Sequence, residues 1–402
     1  MKILYIHQYF KTPAEGGGTR SYWISQQLAN RNHEVIVLTS RNYQESSVET
    51  EIINGIKVVY IRNFYDNTLS NFYRIISFIS FVLKTIRYAL RIKNINVVYA
   101  TSTPLTVGIP AIFLKILKKT PYIFEVRDLW PDIPVTIGII KNPLFVKLLY
   151  SFEKSIYRKS YHIIALSPGM KNSIISKGID SKKLSVIPNM CDLETFFPTD
   201  KKYILHRKLN IPKNSLVAIH TGAMGMVNGL LKFTRKVALE LPEIFFVFIG
   251  EGKEKEELIQ LSLQHRNIRV HDGVPKTDLN QFLNDADVFL MLVDPDYKLF
   301  ETNSANKFFD YLSVGNKPVI MNYKGWKYDI IEKEKLGFYI NQDNIEQVKN
   351  IFSDDSVKNY LNDLKSNQKA RQVAINSFDK SHLTIEVAKI VERVQVNNKK
   401  SN

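Results

Sequence analysis

Short runs of apolar residues alternate along this chain with longer segments in which apolar residues recur every three or four positions. The runs predict strands and the longer segments predict helices, an alternation typical of parallel sheets covered by helices. A first series of predicted strands comprises Lys2–Ile6, Glu34–Thr39, Lys57–Ile61, Val97–Ala100, Tyr122–Val126 and His162–Leu166. A second series comprises Val217–Thr221, Phe245–Ile249, Ile268–His271, Val288–Leu292 and Pro318–Met321.

Two series of strands predict two domains. A chain of 402 residues is too long for one ordinary core and suits two domains of about 150–200 residues each. The pattern breaks near Ile187–Pro198, so we assign residues 1–190 to the first domain and residues 191–380 to the second. Each domain is predicted to be α/β with a doubly wound, Rossmann-like sheet. Ligands of such sheets bind beyond the carboxyl ends of the strands, so the segments that follow each strand carry the candidate chemistry.

The composition excludes several kinds of protein. Cys191 is the single cysteine, which excludes an intramolecular disulfide and a thiolate-rich metal site. The eight histidines show no metal-ligand spacing, so we predict no metal. No apolar run approaches the ~20 residues of a membrane-spanning helix, and the apolar start is too short for a signal peptide. We therefore expect a cytoplasmic protein.

The charge is unevenly distributed. The formal net charge is +16, and the first 200 residues hold 25 basic and 14 acidic residues. Between Asn67 and Phe124 there are eight basic residues and no acidic one. This asymmetry predicts an anionic partner for the first half: a phosphate-rich ligand, a nucleic acid or a membrane surface. No recognised nucleic-acid module is visible, so we predict that nucleic acid is not the partner.

The segment Phe72–Arg91 predicts a helix that contacts a membrane. One stripe at helical spacing is apolar and is expected to face the core; it comprises Phe72, Ile75, Ile76, Ile79, Leu83, Ile86 and Leu90. The opposite side combines aromatic and basic residues, namely Arg74, Phe78, Phe81, Lys84, Tyr88 and Arg91. Aromatic residues with a basic rim predict contact with an anionic membrane surface. The alternative is a helix buried on both sides.

A glycine-rich loop follows the first predicted strand and opens a helix. Glycines let a ligand approach the backbone, and a helix N-terminus attracts phosphate. The candidate phosphate ligands in the sequence EGGGTR are Gly16, Gly17, Gly18 and Arg20. A flexible turn explains the same sequence equally well.

The sequence FEVRDLWPD ends the fifth predicted strand with four charged residues, Glu125, Arg127, Asp128 and Asp132. Carboxylates at this edge of a sheet could orient an acceptor hydroxyl or accept its proton. The alternative is an Arg–Asp ion pair that braces a loop. We favour the functional interpretation because charges at the carboxyl end of a buried strand are poorly placed for stability alone.

In the second domain, the glycine-rich sequence TGAMGMVNG follows the first strand and IGEG follows the next. Both are predicted to let a phosphate approach the backbone, and the alternative for IGEG is a plain strand-to-helix turn. The residues concerned are Gly222, Gly225, Asn228, Gly250 and Gly252.

The stretch NSANKFFDYLSVGNKPVI, at Asn303–Ile320, is the most informative. Asn303 or Ser304 could cap a helix. Lys307 lies in its first turn, where a cation is unfavourable unless an anion binds at that end. Asp310 lies on the same face. The helix is therefore predicted to offer N–H groups and Lys307 to a diphosphate, and Asp310 to sugar hydroxyls; the alternative is a solvated i,i+3 ion pair.

These motifs, together with ALSPGM at Ala165–Met170, the linker VIPNMCDLETFFP and IGEGKEKEEL, resemble glycosyltransferase family 4, the large retaining family with the GT-B fold. The resemblance covers nearly the whole chain. It implies two Rossmann-like domains facing across a cleft, with a C-terminal helix at 381–394 that returns to the first domain. The opening residues and FEVRDLWPD are most similar to bacterial transferases that add N-acetyl-L-fucosamine or a related amino sugar in O-antigen, lipopolysaccharide and capsule synthesis.

The resemblance implies transfer from a UDP-sugar to a sugar on undecaprenyl diphosphate, catalysed at the cytoplasmic face of the cell membrane. It implies no metal or other cofactor, and a front-face substitution in which the leaving phosphate helps to deprotonate the acceptor. Catalytic roles fall on Arg127, Asp128 and Lys307. The donor site comprises Gly16, Gly17, Gly18, Arg20, Gly222, Gly225, Asn228, Gly250, Gly252, Val274, Asn303, Ser304, Asn306, Lys307 and Asp310.

The sequence departs from the family pattern at three places. The glycine loop has Ala223 and Asn228 where the family commonly has arginine and lysine, and Thr302 stands where it has the first of two glutamates. Arg127 follows the fifth strand, where the family frequently has a histidine. Neutralisation of the diphosphate would then rest on Lys307 and Arg127, with help from Arg20. Two alternatives stay open: a nucleotide-sugar 2-epimerase of the same fold, and a non-catalytic, membrane-docked partner subunit.

Overall fold

The structure is a computed structural model. It describes residues 1–15, 17–42, 46–64, 70–353, 357, 359–361, 363 and 369–400. The chain divides into two compact units. Unit 1 comprises Met1–Pro188 and Ser381–Asn402, and unit 2 comprises Asn189–Lys380.

Unit 1 is built on a sheet in which eight strands are described, in the order β3-β4-β2-β1-β5-β6-β7-β8. All neighbours are parallel except β3 and β4, which form an antiparallel pair at one edge. The strands are β1 (Lys2–Ile6), β2 (Glu34–Arg41), β3 (Val48–Ile53), β4 (Ile56–Arg62), β5 (Val97–Thr101), β6 (Tyr122–Val126), β7 (His162–Ala165) and β8 (Leu184–Val186).

Helices cover both faces of this sheet, as expected for strands that are apolar throughout. They are α1 (Arg20–Asn30), α2 (Asn71–Arg91), α3 (Gly108–Lys118), α4 (Asp132–Thr136), α5 (Pro143–Lys159) and α6 (Pro168–Ser176). Asn142 caps α5 by accepting hydrogen bonds from two backbone N–H groups, and Ser167 caps α6 in the same way. Short 3₁₀ turns lie at Pro13–Glu15, Leu105–Val107 and Ser181–Lys183.

Unit 2 contains a second parallel sheet, with six described strands in the order β11-β10-β9-β12-β13-β14. They are β9 (Leu216–Thr221), β10 (Ile244–Ile249), β11 (Ile268–His271), β12 (Val288–Met291), β13 (Val319–Met321) and β14 (Gly337–Tyr339). From β9 the strand order runs towards one edge through β10 to β11, and then from β12 towards the other edge through β13 to β14. The order of the strands therefore reverses between β9 and β12. Such a reversal is where ligands bind in open α/β sheets.

The helices of unit 2 are α7 (Ile204–Lys208), α8 (Leu230–Lys236), α9 (Lys255–Gln264), α10 (Lys276–Asp285), α11 (Asn306–Val314), α12 (Trp326–Glu334) and α13 (Ile345–Ser353). A helix at Lys369–Val373 and a π-helical turn at Ala374–Phe378 lead into the C-terminal helix, Lys380–Lys400. Further 3₁₀ segments lie at Met226–Asn228, Ala238–Glu240 and Pro295–Thr302. Within the described part of the chain, no helix is both long and apolar enough to span a bilayer.

The C-terminal helix packs in unit 1, although the chain reaches it from unit 2. Its apolar side is buried at Val387, Ala388 and Val391. On its outer side, Glu392 accepts hydrogen bonds from both Nε and Nη2 of Arg31 at 2.8 Å. The chain therefore leaves unit 1 once, at Pro188, and returns to it after Lys380.

The burial of α2 is the reverse of the sequence expectation. The apolar stripe expected to face the core is largely exposed, with Ile79 at 52% and Leu83 at 62%. Phe81, which we predicted to contact a membrane, is fully buried. The face that packs on the sheet carries small and hydroxylic residues beside it, Ser77, Thr85 and Ala89, which let the helix approach closely. The prediction for Phe81 was wrong because both sides of the helix are apolar and periodicity cannot choose between them.

Candidate functional site

Helix α11 is held against the carboxyl end of β9, the strand at the centre of the unit 2 sheet. The Tyr311 hydroxyl accepts a hydrogen bond from the backbone N–H of Thr221 at 3.1 Å. The ring of Tyr311 stacks on Phe289 of β12, with 4.4 Å between centroids. Because Tyr311 anchors the helix between two strands, the first turn of α11 has a fixed position over the loop that follows β9.

Lys307, in that first turn, points at the end of β9. Its Nζ lies 2.7 Å from Nε2 of His220, the penultimate residue of the strand. Its Cε lies 3.6 Å from where a Cβ of Gly222 would be, so the amine also lies against the glycine loop. Lys307 is half-buried and His220 is fully buried. A cation, a glycine backbone and a helix N-terminus therefore converge at this strand end.

Burial perturbs the titration of both groups. Desolvation lowers the pKa of Lys307 to about 7, against a smaller opposing effect of the nearby Asp310 carboxylate. Burial and the charge of Lys307 hold the pKa of His220 well below its ordinary value, so the imidazole is neutral. When Lys307 is protonated its ammonium can only donate, so Nε2 of His220 then accepts and the ring proton is on Nδ1. The site thus holds an amine that titrates near neutral pH and whose positive charge, when it is protonated, no described carboxylate pairs with.

Asp310 lies one turn further along α11 and is 7% exposed. Burial raises its pKa to about 6, while Lys276 and Lys307 act in the opposite direction. No described side chain forms a hydrogen bond or ion pair with its carboxylate. The solvated Lys307–Asp310 ion pair that we considered as an alternative is therefore not present: Lys307 turns to His220 and Asp310 keeps its acceptor capacity.

The two glycine-rich loops of unit 2 pack backbone against backbone. Gly222 N–H donates to Ile249 O and Met224 N–H donates to Glu251 O, both at 2.8 Å. A side chain at Gly250, where φ is +147°, would overlap the carbonyl oxygen of Gly222. Gly252, with φ +156°, meets Met224 in the same way. These two glycines are thus required by loop packing, which supports the plain-turn interpretation for IGEG.

The N-terminus of α8 already has an anionic partner. Glu254 Oε2 accepts hydrogen bonds from the N–H groups of Leu230 at 3.0 Å and Leu231 at 3.4 Å. Asn228 closes the loop before it by donating from Nδ2 to the carbonyl oxygen of Ala223 at 2.9 Å. The N–H groups of Leu230 and Leu231 are therefore occupied by Glu254, and the expectation that a phosphate approaches the backbone of the glycine loop itself stays a prediction. Gly222 and half-buried Gly225 stay at the loop surface.

The helix α11 is not capped as the sequence suggested. Its N-cap residue is Ala305, and no side chain caps its first N–H groups. Asn303 instead accepts hydrogen bonds from Lys327 Nζ through Oδ1 and its carbonyl oxygen, at 2.6 and 2.7 Å. Ser304 is buried and accepts the backbone N–H of Asn189 at 3.0 Å. Asn306 is exposed, and Val274 is half-buried in the loop after β11.

Arg20 in unit 1 is committed to the protein interior. It is 2% exposed and its Nε lies 2.9 Å from Oε2 of the fully buried Glu125. Its Nη1 and Nη2 donate to the carbonyl oxygens of Pro188 and Ile187, the latter at 3.0 Å. The Glu125 carboxylate also accepts a hydrogen bond from the Tyr99 hydroxyl, at 2.6 Å. Arg20 therefore has no donor directed at a ligand, which corrects its assignment as a phosphate ligand.

Arg127 and Asp128 follow β6 and are half-buried. Arg127 Nη1 lies 3.3 Å from His7 Nε2, and burial together with this arginine lowers the pKa of His7. Asp128 Oδ2 accepts the Thr103 hydroxyl at 2.9 Å. The Arg–Asp ion pair weighed from the sequence does not form between these neighbours. Asp132, by contrast, is an ion-pair partner of Lys177 at 2.6 Å.

Gly17 and Gly18 lie in the loop before α1, and a Cβ at Gly17 would meet no atom within 4 Å. Gly16 lies outside the described residues. Beside this loop, the carboxyl ends of β1, β2 and β5 enclose a cavity of about 580 Å³. Its walls include Gln8, Asn42 and Thr103, together with Arg41, whose guanidinium lies 3.4 Å over the ring centroid of Tyr60.

Sequence reasoning missed His220, Tyr311 and Glu254, because their roles depend on partners far apart in the chain. A histidine near the end of a strand that precedes a glycine loop is a signal that could have drawn attention to His220. Across the described ranges, no three or more His, Cys, Asp or Glu side chains are grouped so that they could hold a metal ion.

Solved structures that share this architecture include enzymes that transfer sugars. Sucrose-phosphate synthase from Thermosynechococcus elongatus aligns with a TM-score of 0.74 and 13% identity, covering 98% of this chain and 99% of that one. HepE of Anabaena, in complex with UDP and glucose, aligns with a TM-score of 0.70 and 15% identity over 98% and 100%. The glycosyltransferase WaaG aligns with 0.66 and 14% over 97% and 99%. The two parallel-sheet units thus form the GT-B fold.

Family models assign each half of the chain. Glycosyltransferase Family 4 matches residues 14–195, and Glycosyl transferases group 1 matches residues 201–376. Only short segments at the ends and between the domains are left unmatched. The chain therefore consists of a Glycosyltransferase Family 4 domain in unit 1 and a Glycosyl transferases group 1 domain in unit 2.

Curated relatives align at lower coverage. UDP-Gal:alpha-D-GlcNAc-diphosphoundecaprenol alpha-1,3-galactosyltransferase of Escherichia coli is 26% identical over 58% of this chain and 61% of its own length. Alpha-galactosylglucosyldiacylglycerol synthase of Streptococcus pneumoniae is 27% identical over 29% and 32%. The phosphatidylinositol N-acetylglucosaminyltransferase GPI3 subunit of Saccharomyces cerevisiae is 23% identical over 72% and 62%. The chain thus spans between about a third and about three fifths of these relatives.

Proposed function

We propose that this glycosyltransferase moves a sugar, with retention of configuration, from a UDP-sugar to a lipid-linked oligosaccharide at the inner face of the cell membrane. The observation that carries the proposal is the position of Lys307, a cation without a carboxylate partner, between His220 and Gly222 at the carboxyl end of β9. A diphosphate supplies the negative charge that this position lacks, and the N–H groups at the start of α11 add to its attraction.

The donor is proposed to bind with its diphosphate at Lys307 and with its ribose hydroxyls at Asp310. Lys307 would then stabilise the charge that develops on the UDP leaving group, in a half-buried site where electrostatic effects are strong. The E. coli relative is named for a UDP-galactose donor and a diphosphoundecaprenol acceptor, which supports the same chemical class here. We propose an amino sugar such as N-acetyl-L-fucosamine as the first donor to test, because of the opening residues and FEVRDLWPD.

The donor site is proposed to work without a metal, since Lys307 occupies the place where a cation is needed. Arg127 and Asp128 in unit 1 are proposed to act near the acceptor. Retention, metal independence and these two roles are separate expectations. Each can be measured: product anomeric configuration, turnover in the presence of a chelator, and the turnover of Arg127→Ala and Asp128→Asn.

The acceptor sugar is proposed to bind in the 580 Å³ cavity of unit 1. The positive charge of Arg41 is compensated by Glu51 at 2.7 Å and Glu49 at 3.6 Å. The guanidinium of Arg41 stacked on the Tyr60 ring therefore gives the cavity a flat and nearly neutral wall, and amide and hydroxyl groups lie beside it. Such a wall suits sugar hydroxyls better than phosphates. Asn42→Ala is expected to raise the acceptor KM about five-fold, the effect of one hydrogen bond, and to leave UDP affinity unchanged. A change in UDP affinity instead would contradict this assignment.

A lipid-linked acceptor would require the chain to work at a membrane, and the proposal is supported by a surface of unit 1. Helix α2 packs against α3, and α3 packs against α5. Each of the three exposes large apolar side chains, namely Phe72, Tyr73, Ile75, Ile76, Ile79, Leu83, Leu90, Phe113, Ile116, Leu117, Leu144, Phe145 and Leu148. We call these residues the apolar surface. Of the residues first predicted to contact the membrane, Lys84 and Arg91 are exposed, and Arg74, Phe78 and Tyr88 are half-buried.

An anionic bilayer is the proposed occupant because the charged residues of α2 and α3, which flank the apolar surface, are all basic. Examples are Arg87, Lys115 and Lys118. Co-sedimentation with vesicles of phosphatidylglycerol and phosphatidylethanolamine is expected to show binding that weakens with salt. Leu83→Ser should reduce binding several-fold, whereas Ile52→Ser, a matched change at a 70% exposed isoleucine on β3, should not. Equal effects of the two changes would remove the support for this surface.

The first experiment is calorimetric titration with UDP, with and without magnesium. We expect metal-independent binding in the wild type, lost by on the order of 10²-fold in Lys307→Ala and retained in Lys333→Ala, whose side chain is 81% exposed in the same unit. Binding lost equally in both variants would contradict the donor site. No binding of UDP to the folded wild type would favour the alternative of a non-catalytic partner, for which Ala223 and Asn228 are the supporting observations.

A further inference from the structure

We propose that His220 is a positioning residue for donor binding: it accepts a hydrogen bond from the amine of Lys307 and so holds that amine at the glycine loop. The Lys307–His220 pair then gains a proton when a diphosphate binds. This inference rests on the proposed function, since it takes Lys307 as the diphosphate ligand. It adds a residue and a pH dependence that neither the fold nor the reaction requires.

The geometry assigns the role. His220 Nε2 is 2.7 Å from Lys307 Nζ and is the hydrogen-bond partner of that amine at the end of β9. The imidazole is fully buried on the strand and therefore has a fixed position. The lysine side chain, in contrast, has four rotatable bonds and needs a partner to fix its amine. By accepting one N–H, His220 fixes the amine and leaves its other two N–H groups for a ligand. The amine then lies over Gly222, a residue that has no side chain of its own to obstruct the approach of a phosphate.

The charges around the pair determine the direction of the pH effect. His220 on β9 is a neutral neighbour, and Asp310 on α11 is the acidic group that acts on Lys307. Asp310 in turn is influenced by Lys276 on α10 and by Asp192, which pairs with Lys380 at 2.6 Å. No carboxylate in the described part of the chain is within ion-pair distance of Lys307. The free site therefore releases the Lys307 proton near neutral pH, in line with its pKa of about 7.

A diphosphate reverses that balance. Two or more negative charges beside the amine favour the ammonium, so the pKa of Lys307 rises when the ligand binds. Above pH 7 the free protein must gain a proton to bind, and linkage then predicts that the Kd for UDP increases about ten-fold per pH unit until the pKa of the complex is reached. Below pH 7 the amine is already charged, so Lys307 contributes no further pH dependence, and any change nearer pH 6 reports on Asp310, whose pKa is about 6.

Removing the acceptor should shift this profile. In His220→Leu the desolvated ammonium loses the neutral acceptor that the described residues give it, so its pKa falls further and the rise in Kd begins at lower pH, by about one pH unit. His220→Gln keeps an amide oxygen near the position of Nε2 and is the conservative rescue variant. Lys307→Met should bind UDP weakly, and the pH dependence above pH 7 should be absent.

The test is a calorimetric titration with UDP at half-unit steps from pH 5.5 to 9, in buffers of different ionisation enthalpy so that proton uptake is measured directly. We expect uptake of up to one proton per UDP near pH 8 in the wild type, a profile moved by about one pH unit to lower pH in His220→Leu, and recovery in His220→Gln. A purely structural role would lower affinity equally at all pH values and would overturn the inference.

The two proposals fail separately. If the wild type binds UDP through Lys307 with no proton uptake, or if His220→Leu keeps the wild-type profile, the role of His220 is refuted and the donor site stands. If UDP does not bind, or binds without Lys307, both are refuted. Circular dichroism of each variant establishes that it is folded. Should His220→Leu not fold, the His220→Gln profile and wild-type proton uptake decide the question alone.

Discussion

Lys307 should destabilise the free protein, and replacing it should reveal this. In an unfolded chain the lysine has its ordinary pKa near 10.5, whereas in the folded site the pKa is about 7. The folded state thus binds fewer protons between these values, so its stability rises with pH across that window and the penalty is fully present below it. A shift of this size would correspond to nearly 5 kcal/mol if fully effective, and partial exposure reduces our expectation to about 2–3 kcal/mol.

We therefore expect Lys307→Met to raise the free energy of unfolding of unit 2 by about 2–3 kcal/mol at pH 6.5, with the gain shrinking towards zero as pH approaches 10. Trp326 is the only tryptophan of unit 2 and packs edge-on against Phe308 at 5.9 Å. With Trp23 and Trp130 replaced by phenylalanine, its fluorescence in urea reports on α11 and its surroundings.

Two controls make this measurement decisive. Lys333→Met changes an exposed lysine in the same unit and should leave stability within about 0.5 kcal/mol. UDP at 100 times its Kd should stabilise the wild type by about 2.7 kcal/mol and leave Lys307→Met almost unchanged. A variant that is less stable than the wild type at pH 6.5, or whose gain does not decline with pH, would refute the reasoning that an uncompensated cation is held at this site.

Three further outcomes test the surroundings of the site. Arg20→Met leaves Glu125 buried without its cation, so urea unfolding of unit 1 should lose about 3–5 kcal/mol while UDP affinity stays the same; a large loss of UDP affinity would instead restore Arg20 as a ligand. Gly250→Ala places a methyl group against the Gly222 carbonyl and should weaken UDP binding and stability together, as calorimetry and thermal unfolding will show. Glu254→Gln removes the charge at the N-terminus of α8 and should cost about 1 kcal/mol in unfolding with no loss of UDP affinity.

Periodicity predicted most of the sheet architecture and missed elements that lack a strong pattern. All eleven predicted strands are present with shifts of at most two residues at an end. β8 and β14 are three residues long, too short to show a period. β3 is an antiparallel edge strand with an alternating burial pattern, and its glutamates and threonine made it resemble a loop.

The candidate site was predictable where a local rule applied. A lysine in the first turn of a helix opposes the helix dipole, and that conflict correctly drew attention to Lys307. Its partner His220 is 87 residues away in the sequence, and only the parallel sheet brings them together. The assignment of Arg20 as a phosphate ligand was wrong for the same reason. Its partner Glu125 is 105 residues away, and no local signal distinguishes a buried ion pair from a phosphate site.

The two crossings between the units have a consequence for how the protein is made. Unit 2 is inserted into unit 1, because residues Ser381–Asn402 complete a unit that begins at Met1. During synthesis, the whole of unit 2 emerges from the ribosome before the segment that buries Val387 and Val391 against unit 1. Unit 1 is thus completed only after unit 2 has been made. The apolar side chains of unit 1 that Val387 and Val391 cover are therefore exposed to water until the helix that begins at Lys380 has been made.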